Sequence, residues 1–252
     1  MTWSILARDA RGHFGAAIAS RFFAVGAHCL HAQRGVGVLA TQALMNPLYG
    51  PAGLALLAQG HAPRAVVAAL VATDAGQAQR QVHVLGARGA AAVHTGVSCV
   101  DWCGHMGGGE PGAAFDQAEA FSVAGNMLAG PQVIEATARA FAERPNAPLA
   151  ERLLAALAAG EAAGGDKRGK QSAALVIQGD EDRLALDLRV DDHAEPVHEL
   201  ARLYEVSLER FQPFVACLPG RANPAGELDR TRIEAAIEAF HAHRSAHRRG
   251  AD

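Results

Sequence analysis

Cysteine, aromatic side chains and net charge are all scarce in this sequence. Of its 252 residues four are cysteines, 5% are aromatic, and the formal net charge is −3. Four cysteines in a chain of this length do not indicate a disulfide framework, so we expect reduced thiols. The small net charge, without a basic patch studded with aromatic residues, gives no electrostatic reason to expect nucleic acid as a partner.

Long apolar runs are also missing. No run approaches the roughly 20 residues that are needed to span a bilayer, so we expect no membrane partner. The first nine residues lack the basic-then-apolar order of a secretory signal peptide. Together with the reduced thiols, these features lead us to expect a cytoplasmic protein.

Apolar residues make up 50% of the chain and charged residues only 19%, which is typical of a globular protein and argues against disorder. Apolar runs separated by turn residues predict four β-hairpins. The paired runs are residues 3–7 with 14–19, 25–31 with 36–41, 81–85 with 90–97, and 173–177 with 184–190. Residues 99–120 are predicted to be a loop, followed by a short strand over 121–124.

Helices are predicted between these blocks of strands. Prolines open five of them, because a proline at the first helical position loses no hydrogen bond; these are Pro51, Pro63, Pro131, Pro148 and Pro196. A sixth, amphipathic helix spans residues 233–240. Grouped antiparallel pairs with helices between them predict two sheets packed face to face with helices on the outer faces, an α+β fold. We interpret residues 1–208 as one domain and 209–252 as a helical extension.

A polar, glycine-rich loop over residues 164–172 runs directly into the apolar strand predicted at 173–177. One interpretation is a solvated charged loop between a helix and a strand. The other is a functional site, because a rigid strand after a polar loop is a common way to hold reactive side chains in place. Gln171 and Ser172 at the start of the apolar run favour the site.

Thr2 is a candidate nucleophile. Removal of the initiator Met would leave a hydroxyl and a free α-amine on one residue, and an α-amine with a pKa of about 7.7–8.0 can act as a base near neutral pH. This is the N-terminal threonine form of the nucleophile-plus-base arrangement. Many proteins begin Met-Thr by chance, but here Thr2 leads directly into a predicted buried strand.

Other clusters are weaker. Cys99, Cys103 and His105 have no second ligand pair at zinc-site spacing, so we interpret the cysteines as packed thiols and His105 as a candidate pocket residue. Asp191, Asp192 and His193 are metal-ligand types, yet neighbouring strand residues point to opposite faces. No phosphate-binding fingerprint is present. We therefore expect neither a metal ion nor an organic cofactor.

Several segments in the same order resemble one known family. They are TWSILARD (2–9), ASRFFAVG (19–26), ATQA (40–43), NPLYG (46–50), WCGH (102–105), GNML (125–128), the loop and strand at 164–175, and DLRVDDH (187–193). Over about residues 2–207 the chain resembles an uncharacterised bacterial family, a domain of unknown function, within the N-terminal-nucleophile (Ntn) hydrolase superfamily. The resemblance implies a four-layer αββα sandwich and, less firmly, hydrolysis of an amide bond.

The resemblance also implies site residues. Thr2 matches the N-terminal position, and the family's motifs contain Arg21, Asn126, Asp166, Arg168, Lys170 and Ser172. We expect Lys170 or Asp166 to tune the α-amine by charge and hydrogen bonding. Asn126 could donate an amide N–H to an oxyanion, and Arg21 or Arg168 could bind a substrate carboxylate. A structural role stands against each, the commonest being an ion pair between Arg168 and Asp166.

The chain departs from the family between residues 107 and 120, where a short glycine-rich connection is expanded and contains Glu110, Asp116 and Glu119. The leading hypothesis is a hydrolase that uses Thr2 to cleave an amide in a small, carboxylate-bearing substrate. The alternative is a small-molecule-binding protein on the same fold. A metal-dependent hydrolase built on His105 and residues 191–193 is third. Self-association into a homo-oligomer is left open.

Overall fold

Ten strands form two antiparallel sheets in the computed structural model, which describes residues 2–108 and 119–249. The strands are β1 (Thr2–Arg8), β2 (Phe14–Ser20), β3 (Leu30–Gln33), β4 (Gly37–Ala43), β5 (Arg80–Gly86), β6 (Ala92–Thr95), β7 (Trp102–Gly108), β8 (Ala120–Leu128), β9 (Ser172–Gln178) and β10 (Leu186–Val190). The six-stranded sheet has the order β10-β9-β2-β1-β8-β7, and the four-stranded sheet has the order β3-β4-β5-β6. The protein therefore has a mixed α/β fold in which β1 is a central strand.

Seven α-helices accompany the sheets in the described part of the chain. They are α1 (Tyr49–Ala58), α2 (Pro63–Ala72), α3 (Pro131–Ala142), α4 (Leu149–Ala162), α5 (Pro196–Glu209), α6 (Phe211–Val215) and α7 (Arg230–Arg249). The chain divides into two units, one ending at Leu200 and the other beginning at Ala201, so α5 crosses the boundary. No helix in the described residues is both long and apolar enough to cross a bilayer.

Strand β1 is buried along its whole length, and its two faces meet different partners. Leu6 belongs to a core cluster with Val38 and Leu85, so one face packs against the four-stranded sheet. Trp3, on the opposite face, lies against α4, where a Cβ on Gly160 would come within 2.7 Å of the indole nitrogen. Since side chains alternate along a strand, Thr2 and Ser4 share the face of Leu6 and point between the sheets.

The four-stranded sheet is apolar on its other face as well. Leu39 of β4 and Val82 and Val84 of β5 pack with Tyr49 and Leu57 of α1 and with residues of α2. Both faces of β4 and β5 are therefore covered. This matters for the site, because polar residues on the face turned toward the six-stranded sheet are removed from water.

The four predicted hairpins are present, with one boundary corrected. Residues 25–27 form a short 3₁₀ helix, and the strand begins only at Leu30. An apolar run alone does not separate a strand from a buried turn, and here Ala24 adopts a left-handed conformation (φ 51°) that breaks the extended chain. The predicted helix at Pro51 instead begins at Tyr49.

The prediction of a loop over residues 99–120 was wrong for part of that range. Trp102–Gly108 is strand β7, which pairs with β8 across a register shift near Gly104. Glycine-rich composition hid the strand, because its regularity comes from pairing with β8 rather than from its own side chains. Strand β8 is also longer than predicted. Residues 109–118 of the expanded segment, which include Glu110 and Asp116, lie outside the described residues. Glu119 is described, and its carboxylate accepts from Arg152 Nη1 at 2.8 Å.

The second unit is helical. Within it Arg210 and Glu234 form an ion pair, and Arg244 Nη2 donates to Glu205 Oε2 at 2.9 Å. Sequence patterning indicated the last helix but missed α6, which is only five residues long. The interpretation of residues 209–252 as an extension of a single domain stays a prediction.

Candidate functional site

Four polar residues form a row across the end of the six-stranded sheet. Thr2 lies opposite Asn126 of β8 on one side and Ser20 of β2 on the other, and Ser20 lies opposite Ser172 of β9. Residues in such a row point to the same face of the sheet. Thr2, Asn126 and Ser172, which lie far apart in sequence, are thus brought onto one face at one end.

A cavity of about 400 Å³ opens at this end of the sheets. Its polar lining comprises Thr2, Ser20, Gln42, Gln79, Ser98, Asn126 and Arg168, and its other lining residues are Phe22, Val25, Cys29, Ala43, Leu44, Met45, Cys99, Val100 and Met127. This volume lies in the range typical of small-molecule sites. The mixture of hydroxyls, amides, one arginine and an apolar wall suits a small amphipathic ligand.

Thr2 is 6% exposed, and its Oγ1 lies 3.1 Å from Ser20 Oγ. Other nucleophile types on the lining are less suitable. Burial raises the pKa of the Cys29 thiol to about 12, and burial also raises the pKa of Cys99. A thiol attacks as the thiolate, so both cysteines are poor nucleophiles near neutral pH. The hydroxyl of Thr2 is the better candidate.

Asp166 organises the glycine-rich loop. Its buried carboxylate accepts hydrogen bonds from the backbone N–H of Arg21 (2.7 Å) and of Arg168 (2.8 Å). The Arg168 guanidinium also lies 3.2 Å from Asp166 Oδ2. Gly164 and Gly169 on either side have φ of 117° and 109°, which explains the glycines of this loop. Asp166 thereby holds Arg168 at the cavity, while Arg21 takes part through its backbone.

Ser172 is fully buried and fixes the segment after β2. Its hydroxyl donates to Phe22 O at 2.5 Å and accepts from the Val25 N–H at 3.1 Å. Phe22 and Val25 line the cavity, whereas Ser172 is not among the lining residues of the described chain. Ser172 therefore acts on the cavity indirectly, by fixing the backbone of Phe22 and Val25.

Lys170 and His105 lie away from the cavity lining, as far as the described residues define it. Lys170 Nζ is 3.1 Å from Glu161 Oε1 and also donates to Glu195. The hydrogen bond that Lys170 donates to Glu195, followed by that to Glu161, raises the pKa of Lys170. His105 is exposed on β7, an edge strand. Neither residue is among the described lining residues of the cavity beside Thr2. Their predicted site roles stay predictions.

Asn126 is held by Gln81, which Gln42 contacts in turn, and sequence reasoning singled out neither glutamine. Asn126 Nδ2 donates to Gln81 Oε1 at 3.0 Å, and Gln42 Nε2 donates to the same oxygen at 2.7 Å. Gln81 Nε2 in turn donates to Gly125 O and Thr95 Oγ1, both at 2.9 Å. Asn126 Oδ1 is buried and has no hydrogen-bond partner among the described residues. The nitrogen side of this amide is therefore anchored and the oxygen side is not.

The same network continues into the space between the sheets. The Ser4 hydroxyl donates to Gln42 Oε1 at 2.7 Å, so Ser4 Oγ must accept from His83 Nε2–H at 2.8 Å. His83 Nδ1 then accepts from the Ser122 hydroxyl at 3.0 Å. Burial, followed by the charge of His105, lowers the pKa of His83 to about 3. His83 is therefore a neutral residue with a single tautomer.

Backbone strain is concentrated at the cavity. In residues 2–108 and 119–249, the non-glycine residues with positive φ are Ala24 (51°), Ala43 (67°), Asp101 (56°) and Met127 (55°). Ala43 and Met127 line the cavity, and the other two adjoin the lining residues Val25 and Val100 in sequence. Such conformations cost of order 1–3 kcal/mol each and cluster at functional sites.

One wall of the cavity is fixed by a half-buried acid. The Asp74 carboxylate accepts from Arg80 Nε (3.0 Å), Asn46 Nδ2 (3.1 Å) and the Tyr49 hydroxyl (2.8 Å). These contacts, that of Arg80 first, hold the pKa of Asp74 well below its usual range. Arg80 also donates to Leu44 O, so the NPLYG segment acts by anchoring the loop that carries Leu44.

The residues of the metal hypothesis are far apart. His105 lies on β7 and Asp191 directly follows β10, and these are the two opposite edges of the six-stranded sheet. Five strand spacings of about 4.8 Å separate them, so they cannot share an ion. The described residues contain no group of three or more ligand-type side chains placed to hold a metal ion.

Sequence reasoning missed Ser20, Gln42, Gln81 and His83. Gln81 and His83 alternate with Val82 and Val84, a pattern that ordinarily indicates a half-exposed strand. Here both faces are buried, so the alternation marks a polar network inside the protein. Isolated polar residues in strands with two covered faces would have been the signal.

The fold and this site define a mixed α/β protein with a strained, polar-lined cavity at the end of its central strand. Residues 2–200 match the family described as "Family of unknown function (DUF1028)", and the chain belongs to that family. The crystal structure of a protein from Silicibacter pomeroyi, assigned to the same family, is similar at 29% identity and a TM-score of 0.79; the match covers 90% of this chain and 99% of that chain. No curated protein matches the chain.

Proposed function

We propose that the protein is an Ntn-type hydrolase that cleaves an amide bond in a small, carboxylate-bearing substrate, with Thr2 as its nucleophile. The observation that carries this proposal is that Thr2 begins the central strand and lines the cavity. A hydroxyl that would lie on the N-terminal residue after loss of Met1 is thus next to a space that can hold a substrate.

We further propose that the fold is the four-layer αββα sandwich of this superfamily. The core between the two sheets supports it, as do the packing of α1 and α2 on the four-stranded sheet and the closeness of α4 to Trp3 on the six-stranded sheet. In such a fold a strand end can present an N-terminal nucleophile without any mobile loop. We also propose a cytoplasmic location and no cofactor.

In the proposed reaction, the α-amine of Thr2 takes the proton from Oγ1, directly or through water, and the oxygen attacks the amide carbonyl. An ester intermediate forms. The protonated amine gives its proton to the leaving nitrogen, and water then hydrolyses the ester to regenerate the hydroxyl. Ser20 Oγ, 3.1 Å from Thr2 Oγ1, can orient this hydroxyl toward the substrate.

The predicted donation from Asn126 to the oxyanion stays a prediction, because one of its two Nδ2 hydrogens is already committed to Gln81. One further group supports the chemistry. Arg168 lines the cavity and is the proposed partner of the substrate carboxylate. Both Arg168 and Lys170 are paired with carboxylates, Arg168 with Asp166 and Lys170 with Glu161 and Glu195. Because Arg168 lines the cavity and Lys170 is not among its described lining residues, we assign the binding of the substrate carboxylate to Arg168.

The test compares two forms of the chain that differ only at the terminus. One has Thr2 as its first residue, verified by intact mass, and the other keeps a residue in front of Thr2. Both are assayed on a panel of small amides with and without a carboxylate beside the scissile bond. We expect turnover of the carboxylate amides only by the form with a free Thr2. Equal turnover by both forms would refute the proposal, and ligand binding without turnover by either would support the binding-protein alternative.

A further inference from the structure

We infer that Asn126 Oδ1 accepts a hydrogen bond from the N–H of the scissile amide, so that the substrates are amides that carry this hydrogen. Tertiary amides and the corresponding esters lack it. This inference rests on the proposed function and narrows its substrate class. It begins from one buried oxygen, Asn126 Oδ1, for which residues 2–108 and 119–249 provide no hydrogen-bond partner.

The orientation of the Asn126 amide follows from its neighbours. Gln81 Nε2 is committed to two acceptors, Gly125 O and Thr95 Oγ1, so Gln81 Oε1 must face Asn126. An acceptor oxygen there requires a donor, which turns Asn126 Nδ2 toward Gln81 at 3.0 Å. Asn126 Oδ1 consequently points away from the network. Gln81 acts as a positioning residue for this oxygen.

The position of this oxygen links it to the reaction. Asn126 is 1% exposed, lines the cavity and lies directly opposite Thr2 across the β1–β8 pair. A buried acceptor without a partner is unfavourable, and an incoming N–H would remove that penalty. Among the described residues, buried side-chain atoms without a hydrogen-bond partner also occur at Trp3 and Glu161, and neither residue lines the cavity.

This contact also suits the proposed chemistry. When Thr2 Oγ1 attacks, the amide nitrogen becomes pyramidal and gains a lone pair that must receive the proton from the α-amine. A hydrogen bond from its N–H to Asn126 Oδ1 fixes the nitrogen so that the lone pair can face the amine. The α-amine remains the proton donor, and Asn126 changes neither the bonds formed nor the bonds broken.

The experiment measures binding rather than turnover, and it uses the Thr2→Ala protein. Three probes of matched shape are N-butanoylglycine, its ester analogue O-butanoylglycolate, and its N-methyl analogue N-butanoylsarcosine. Isothermal titration calorimetry should show that N-butanoylglycine binds about tenfold more tightly than the ester, the effect expected of one buried hydrogen bond. The N-methyl analogue should bind at least as weakly as the ester.

Variants at Asn126 test whether the difference in affinity between the amide and the ester depends on Asn126 Oδ1. In the Thr2→Ala protein, Asn126→Leu should bring the amide and the ester within about twofold of each other. Gln81→Met frees the Asn126 amide to rotate and should reduce the preference. Circular dichroism and thermal melting confirm that each variant is folded.

Several outcomes would overturn the inference. These are equal binding of amide and ester by the Thr2→Ala protein, an undiminished preference in the Asn126→Leu variant, or no binding of N-butanoylglycine. Equal binding together with Thr2-dependent turnover of carboxylate amides would refute this inference alone, and would indicate that Oδ1 serves the α-amine of Thr2 instead. Failure of the proposed function is read separately, from the turnover of the free and blocked forms.

Discussion

Two cavities of this protein differ in a way that shows what marks a functional site. The cavity at Thr2 has a volume of about 400 Å³, and a second cavity beside the turns that flank β4 and β5 has a volume of about 600 Å³. The second is lined by glycines and apolar residues together with His61 and Arg88. As far as the described residues line it, the larger cavity therefore lacks the row of buried hydroxyls and amides found at the smaller one.

The two cavities also differ in which residue types have positive φ angles. At the second, the positive φ angles belong to Gly35 (66°), Gly60 (90°) and Gly89 (83°), where glycine adopts them without strain. At the first they belong to non-glycine residues such as Ala43 and Met127. Strain that persists in a folded protein must be imposed by the surrounding structure. Strain and an unpartnered polar atom, rather than volume, distinguish the candidate site.

The largest expected effect is that of Thr2→Ala. We expect turnover to fall by at least about 10³-fold with the fold retained, because both the nucleophile and its proton transfer are lost. Thr2→Ser should keep part of the activity, since it has the same hydroxyl and amine. The matched control is His61→Ala at the second cavity. Turnover of Thr2→Ala at the wild-type rate, or an equal loss of turnover in His61→Ala, would contradict the assignment of the cavity at Thr2 as the active site.

The next effect concerns substrate charge. Arg168→Met should lower kcat/KM by about 10- to 100-fold for amides with a carboxylate, because a charged hydrogen bond is lost, and should hardly affect neutral amides. Arg88→Met removes an arginine from the second cavity and should change neither value. If Arg168→Met lowers kcat/KM equally for amides with and without a carboxylate, the arginine has a structural role.

Acid should destabilise the protein through His83. Its pKa is about 3 in the folded state and ordinarily 6.5 when unfolded, so between these values only the unfolded state binds the proton. The free energy of unfolding should therefore fall by about 1.4 kcal/mol for each pH unit below 6.5, toward pH 3. Urea titrations at pH 7 and 5.5 measure this slope. His83→Gln should flatten it and His61→Gln should not; an unchanged slope in His83→Gln would contradict the assignment.

Opposite substitutions at positive φ should have opposite effects. Gly35→Ala should cost about 1 kcal/mol, because its new Cβ meets no neighbour within 4 Å and only the left-handed backbone opposes it. Ala43→Gly should stabilise by about 1 kcal/mol, since it relieves the same strain. Each corresponds to a shift in Tm of about 2–4 °C in a chain of this size. A lower Tm for Ala43→Gly would show that Ala43 is not strained.

The smallest expected effect is that of a chelator. Thr2 needs no metal ion in the proposed reaction, so incubation with EDTA followed by dialysis should leave turnover unchanged. Titration of the same preparation with zinc or manganese should not increase turnover. Activity that is lost with EDTA and restored by either metal would contradict the proposed chemistry.

Much of the fold could be predicted from local pattern. Apolar runs around polar turns predict the pairs β1–β2 and β9–β10. Pro63 and Pro131 predict helix starts that the structure confirms. Strand β7 could not be predicted in this way. Its glycines carry no side-chain period, and only the neighbouring strand β8 gives it an extended form.

By itself, the sequence determined that Thr2 leads into a buried strand and that a glycine-rich loop holds Asp166 and Arg168 close together, because these are properties of consecutive residues. Only the tertiary structure decided which distant residues meet at the cavity. Strand register placed Asn126 opposite Thr2, and the packing of two sheets covered both faces of β5, which turned Gln81 from an apparent surface residue into the anchor of Asn126. Lys170 lies only two residues from Arg168, yet it pairs with Glu161 and Glu195 while Arg168 lines the cavity, since the direction of each side chain is set by partners from other elements.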